Sequence, residues 1–288
     1  MPEKRHALIA GCGYVGTALA ARLVAEGHTV TTLRRSDKIA APGVQNIQAD
    51  LATGVGLDAI PADIDVVFYT AGADAFSEEA YRNAYVVGVR NLLAALHAKG
   101  APVQRVIYTS STGVYAQDNG EWVDEDSPTE PTKFSGKVLL EGEAEVARGP
   151  IPATVVRFGG IYGPNRTRLV DTVRNGSAYT IAGRTQYLNL IHRDDCAGVL
   201  QHLMHLHAPV ACYVAVDDEP MERAALLEWL AGLLCVSPPP ARAADEAPDP
   251  QRGGDRRVRN ARLRATGYVF QYPTCRDGYA AMLEGEIL

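Results

Sequence analysis

At 288 residues the chain can bury a large core and form one large domain, or a main domain with an appendage. Its 28 basic against 34 acidic residues and net charge of −6 supply no basic field of the kind that holds nucleic acid. No apolar run is long enough to cross a bilayer and no charged start leads into one, so the expectation is a cytoplasmic protein without a membrane partner.

The chain opens with an apolar segment, residues 7–10, that runs straight into Gly11-Cys12-Gly13-Tyr14-Val15-Gly16 and then into a helical pattern from Thr17. A strand turning tightly into a helix needs glycine for an open backbone and for close approach of main-chain amides to an anion. The helix N-terminus adds partial positive charge. The third glycine, Gly16, lets helix and strand pack closely. Residues 29–33 then form a second strand, which completes a βαβ unit, so the turn from Gly11 to Gly16 reads as the seat of a dinucleotide phosphate.

Strand candidates at 6–10, 29–33, 44–48, 65–70, 104–109 and 153–157 alternate with helical runs, the pattern of a doubly wound parallel sheet. The longest helical run, 78–99, carries Tyr81, Tyr85, Val89, Leu92, Leu93 and Leu96 at core spacing. An acidic stretch with Glu121, Asp124, Glu125 and Asp126 reads as a solvated loop. The expected division is a nucleotide-binding domain over 1–160, its sheet completed by segments within 187–215, and a smaller mixed substrate region over 161–288. Within it, 194–206 and 221–234 are helical, Asp194 and Asp195 read as helix caps, and 237–255 as a mobile loop, either a linker or a lid. His202, His205 and His207 fall late on a helix without a carboxylate or thiol at ligand spacing, so no metal is expected. The five cysteines are scattered, with no C-x-x-C pair, and read as reduced thiols.

At the tip of the second strand an acid would accept hydrogen bonds from the ribose hydroxyls of NAD. Here the positions hold Arg34 and Arg35, whose guanidinium groups suit the 2′-phosphate of NADP, with NAD as the alternative. Asp50 and Leu51 end the third strand, where a short side chain reaches the adenine amine. Ala71, Gly72 and Ala73 end the fourth with small residues that admit a ligand. All of these turns lie at the carboxyl ends of strands, where open α/β sheets bind ligands.

The run Tyr108-Thr109-Ser110-Ser111-Thr112-Gly113-Val114-Tyr115, the run from Arg157 through Phe158, Gly159 and Gly160 to Pro164, and Leu190 to Asp195 join the glycine turn in a recognisable order. Together they resemble the extended short-chain dehydrogenase/reductases, also called NAD-dependent epimerase/dehydratases, over nearly the whole chain. The resemblance implies a Rossmann-like α/β fold that binds NAD(P), a small-molecule substrate, commonly a nucleotide sugar and so phosphate-bearing, and a homodimer built on two long helices. It also implies cofactor contacts around Thr109 and Phe158 to Gly160. By resemblance Ser111 takes the serine place and hydrogen-bonds the substrate oxygen, while Lys137 takes the lysine place and holds the nicotinamide ribose. Lys133 stands where the family carries its tyrosine, and Ala10 where it carries a first glycine, which marks an atypical member.

Three readings follow. The first is a hydride-transferring enzyme whose proton donor is Lys133 or Tyr115. Lys133 and Lys137 would be neighbours if both were helical, and a lysine beside a second cation can have its pKa lowered towards neutrality. The second is a binding module that keeps the cofactor pocket, has lost the chemistry and reports redox state to a partner. The third is an isomerase or lyase with a tightly held cofactor. Arg166, Arg168, Arg193, Arg257 and Arg259 are candidates for a substrate phosphate.

Overall fold

The computed structural model describes residues 3–243 and 254–284. Seven parallel strands form one central sheet: β1 (His6–Ala10), β2 (Thr29–Arg34), β3 (Gln45–Gln48), β4 (Val66–Tyr69), β5 (Arg105–Ser111), β6 (Ala153–Phe158) and β7 (Cys212–Ala215). Their order is β7-β6-β5-β4-β1-β2-β3. The order reverses between β1 and β4, and the carboxyl ends of those two strands therefore part into a crevice.

Successive side chains of a strand point to opposite faces, and both faces here are covered. Ile9 and Phe68 pack with Leu19 and Leu23 of α1 (Tyr14–Ala25) and Leu200 and Leu203 of α6 (Arg193–His205). Leu8 and Val67 meet the opposite layer, built from α2 (Glu78–Arg82), α3 (Gly88–Lys99) and α4 (Phe134–Arg148), where Leu92, Leu96 and Val146 are buried. A separate apolar cluster unites α5 (Arg168–Arg174), α7 (Arg223–Leu233) and α9 (Cys275–Leu283) through Val170, Leu227, Tyr279 and Leu283. The short helix α8 (Ala261–Ala265) sets Leu263 into the sheet core. Among the described residues no helix is long and apolar enough to cross a membrane, and all five cysteines are free.

Three local readings are corrected. The acidic stretch is not simply solvated: Glu121–Val123 pairs as a strand with Arg256–Val258. The side chain of Glu125 is 3% exposed and accepts the Val214 N–H of β7 at 2.7 Å. Neither Asp194 nor Asp195 caps α6, because the His192 ring accepts the Asp194 N–H. Asp195, buried, instead ties down the segment before α9 through Tyr268, Gln271 and Tyr272. In the stretch expected to be a loop, Ala241–Arg242 pairs in parallel with Thr180–Ile181 and Asp255 holds the Gly120 and Tyr187 amides. Residues 244–253 of that stretch lie outside the described residues.

His205 finds a carboxylate that its sequence neighbours do not offer, Glu26 at 3.1 Å, which also lies 3.3 Å from His28. Nδ1 of His28 accepts the Arg5 main-chain N–H. Its proton therefore sits on Nε2, facing Glu26, whose carboxylate is hydrogen-bonded to His205 at 3.1 Å and lies near the His28 ring without a good hydrogen bond to it.

Beside β5 and β6 lies a buried ion pair. Arg157 meets Glu143 through Nε at 3.0 Å and Nη2 at 2.7 Å, Ser110 donates to the same carboxylate at 2.6 Å, and Arg157 Nη1 donates to the Tyr115 hydroxyl at 3.0 Å. Removing one partner of such a pair strands the other charge in the interior, at a cost of about 3–5 kcal/mol. Glu143→Ala is expected to lower the urea midpoint accordingly, whereas a midpoint within experimental error of wild type would show the arginine to be hydrated.

Candidate active site

The turn between β1 and α1 is shaped by what it must avoid. Gly11 has φ +77, and a side chain there would run into the backbone of Ala71 at the end of β4. Gly16 faces Thr70 Oγ1 and Ile9, and Thr70 in turn donates to the Gly11 carbonyl at 3.1 Å. Gly13 precedes α1 with no side-chain cap, so the first-turn N–H groups of α1 take no side-chain partner at that end. The turn thus offers a glycine face open to solvent at a helix N-terminus, the kind of place where main-chain N–H groups and the helix dipole favour an anion.

A cavity of about 500 Å³ opens on this turn, lined by Gly13, Tyr14, Val15, Thr70, Ala71, Gly72, Ala73, Tyr85, Thr109, Ser110, Ser111, Phe158, Gly159, Ile161 and Arg166. It brings together the glycine turn, the small residues after β4, Ser111 and the residues after β6, all singled out from sequence. Gly160 belongs to a second, larger cavity of about 1020 Å³ that shares Ile161 and Arg166 with the first. The boundary between them is fixed by Tyr14, whose hydroxyl donates to the Pro164 carbonyl at 2.7 Å while Arg166 stacks on its ring at 4.2 Å.

Other expected residues are placed differently. Arg34 ends β2 with its guanidinium donating to the Lys38 carbonyl at 3.3 Å, and it is not among the residues lining the crevice. Arg35, exposed, pairs with Asp74 at 2.8 Å. Oδ1 of Asp50 accepts the Ala52 N–H at 2.8 Å and so closes its own turn, which Asn91 holds through the carbonyls of Leu51 and Ala52. Lys133 is not helical: it precedes α4 in extended conformation. Lys133 and Lys137 are both exposed and neither is among the residues lining the crevice. Tyr115 is 2% exposed and faces Arg157, with burial pushing its pKa up to about 12. The second-half arginines do not gather on one spot. Arg166 and Arg168 line the larger cavity, Arg193 pairs with Asp194, and Arg257 and Arg259 stack on Trp122.

Sequence reasoning missed Tyr85, assigned to the core by helical spacing, and Arg223 and Tyr179, which line the larger cavity. Arg223 donates to the Tyr179 carbonyl at 2.6 Å. No periodicity distinguishes such residues, since their place depends on how α5 and α7 meet.

A twisted parallel sheet with a glycine turn at its switch point and a crevice at the carboxyl ends of its strands defines a Rossmann-like α/β protein. The chain matches the NAD dependent epimerase/dehydratase family over residues 7–209, and it belongs to that family. A ketoreductase of 4-hydroxy-2-methyl-3-oxo-4-farnesyl-3,4-dihydroquinoline-1-oxide from Stigmatella aurantiaca is 30% identical over 238 residues, 76% of this chain and 70% of the relative. A solved structure from Methylobacillus flagellatus, provisionally assigned as an NAD-dependent epimerase/dehydratase, superposes with a TM-score of 0.81 at 37% identity, covering 99% of this chain and 100% of that one. The human epimerase family protein SDR39U1, solved with NADPH, shares the fold at 22% identity and a TM-score of 0.80, with 97% and 99% covered.

Under the larger cavity lies Asp217, 2% exposed, neither oxygen meeting a donor in good geometry. Burial is the main cause that pushes its pKa up to about 8; the Glu219 and Cys275 amides oppose it, and Asp218 and Glu219 add to it. The folded state therefore binds this proton more tightly than the unfolded chain does. Its stabilising contribution is complete below about pH 4 and is lost as pH rises through about 8. Asp217→Asn is expected to leave the urea midpoint near pH 4 almost unchanged and to raise it above pH 8. Equal shifts at both ends would contradict the assignment.

Proposed function

We propose that this protein is an NADP(H)-preferring oxidoreductase that transfers hydride to or from a carbonyl or carbinol substrate. The observation that carries the reading is the crevice itself, in which the glycine turn, the small residues after β4 and Ser111 line a single cavity. The relative that reduces a ketone and the neighbour solved with NADPH agree with it. On this reading the amides around Gly13 to Val15 hold the diphosphate, Thr109 and the segment 70–73 border the nicotinamide half, and Arg34 meets the 2′-phosphate. Bound there, the nicotinamide supplies or accepts the hydride. Ser111 accepts the Gly113 N–H at 3.1 Å, which leaves its own hydroxyl hydrogen free to bond a substrate oxygen. The larger cavity, with Arg166, Arg168 and Arg223 on a mainly apolar wall, suits a substrate with an anionic group, a nucleotide sugar among them.

A redox-reporting binding module is the second reading. It is favoured by one observation: Lys133, in the family's tyrosine place, is exposed and outside the crevice.

Arg34→Asp tests the cofactor preference. Loss of a charge-assisted contact of about 1.5–3 kcal/mol weakens NADPH roughly 10- to 100-fold, while NADH binding holds or improves. Calorimetry that finds the NADPH to NADH ratio unchanged would remove Arg34 from the site.

A further inference from the structure

Between α2 and α3 the helix widens over Asn83–Val87 into a π-turn, in which the Gly88 N–H reaches the Asn83 carbonyl five residues back. Such single-turn bulges cost regular hydrogen bonding and recur at functional sites. Here the turn is held from beneath by two buried phenols on adjacent strands. Tyr69 of β4 donates to the Ala84 carbonyl at 2.5 Å, and its register partner Tyr108 of β5 donates to the Tyr85 carbonyl at 3.0 Å. The two rings stack at 5.4 Å and neither is exposed. Gly88 and Gly142 make room for them, because a side chain at Gly88 would strike the Tyr69 hydroxyl and one at Gly142 the Tyr108 hydroxyl and the Tyr85 carbonyl.

What this support presents is the Tyr85 side chain, which lines the same crevice as Thr109, Ser111 and Gly72. Its hydroxyl lies over Gly72, where an added methyl group would sit 3.7 Å away, and the Ala73 amide faces its oxygen. Four neighbouring phenols are committed as donors or partners: Tyr14 to Pro164, Tyr69 to Ala84, Tyr108 to Tyr85, Tyr115 to Arg157; Tyr162, whose hydroxyl has no partner among the described residues, lines the larger cavity and not this crevice. Among the described residues the Tyr85 hydroxyl donates no hydrogen bond, so its proton is available to whatever enters the crevice. Burial first, and then neighbouring Tyr81, hold it protonated above the usual phenol range, against the pull of the Ala73 amide. That is the state required of an acid.

We propose that Tyr85, set in the crevice by the π-turn, is the group that gives its hydroxyl proton to the oxygen of a carbonyl substrate, with Ser111 bonding the same oxygen. The inference rests on the oxidoreductase reading above. In the reductive direction the carbonyl carbon gains a hydride from the reduced nicotinamide, the C=O π bond breaks towards oxygen, and that oxygen takes the Tyr85 proton. The tyrosinate then regains a proton from water in the open crevice. The nicotinamide is oxidised as the carbonyl is reduced to the alcohol.

The test uses the full chain and Tyr85→Phe. NADPH affinity, followed by cofactor fluorescence, is expected to agree within twofold between the two. Reduction of 9,10-phenanthrenequinone as a reactive carbonyl probe is expected to fall about 100-fold or more in the variant, the scale of a lost general acid. Independently of turnover, tyrosinate absorbance titrated with and without saturating NADP⁺ should contain, in wild type only, a component that moves to lower pH with the cationic nicotinamide. The proposal is overturned if Tyr85→Phe reduces the probe at the wild-type rate, if it binds NADPH tenfold more weakly at an unchanged rate, or if both proteins give the same cofactor-dependent titration. Where wild type does not reduce the probe, or the variant does not fold, the wild-type titration decides, and one left unmoved by NADP⁺ overturns the assignment. Failure of wild type to bind NADPH at all would sink the oxidoreductase reading together with this one.

Discussion

Everything at the site depends on how closely the β1–α1 turn approaches the end of β4. Gly11 occupies a positive φ that costs little only without a Cβ, and the space a side chain would need is taken by Ala71. Thr70 bonds back to the Gly11 carbonyl, so the two turns are joined rather than merely adjacent. That contact sets the width of the crevice and leaves the start of α1 without a side-chain cap. A uniform sheet edge would have given main-chain donors to neighbouring strands. The switch point gives them to solvent and to ligands.

The crevice floor is built from polar groups that the sheet buries in pairs. On one side Arg157, Glu143, Ser110 and Tyr115 satisfy one another in the interior. On the other, Tyr69 and Tyr108 take up carbonyls at the widened turn that carries Tyr85. Buried polar groups left unpaired are costly, and networks of this kind hold one geometry against its neighbours. Their effect is to fix which hydroxyls face inward as structure and which remain available as chemistry. Tyr115 falls in the first class and Tyr85 in the second, the reverse of what their sequence positions suggest.

The second half of the chain contributes to both layers. β7 closes one edge of the central sheet and α6 packs against α1, while α5, α7 and α9 enclose their own apolar cluster. Tyr14 joins the two through Pro164 and the stacked Arg166, so a residue of the glycine turn holds the arginine that lines both cavities.

Hydrophobic period and glycine placement made the strands, the main helices and the switch-point turn legible from sequence, because strand alternation and a forbidden Cβ are local properties. The glycine turn and the small residues after β4 were read from the same local signals, whereas Ser111 was singled out by family resemblance. Side-chain destinations were not legible from sequence. Glu125 reads as loop charge until β7 offers it an amide, Asp195 as a helix cap until the segment before α9 reaches it, and Tyr85 as core until a π-turn rotates it into the crevice. The sequence alone determined the fold class and the place of the glycine turn at the switch point. Tertiary structure decided which acids are buried and which phenol faces the crevice with its proton uncommitted, because those outcomes depend on partners brought from tens of residues away.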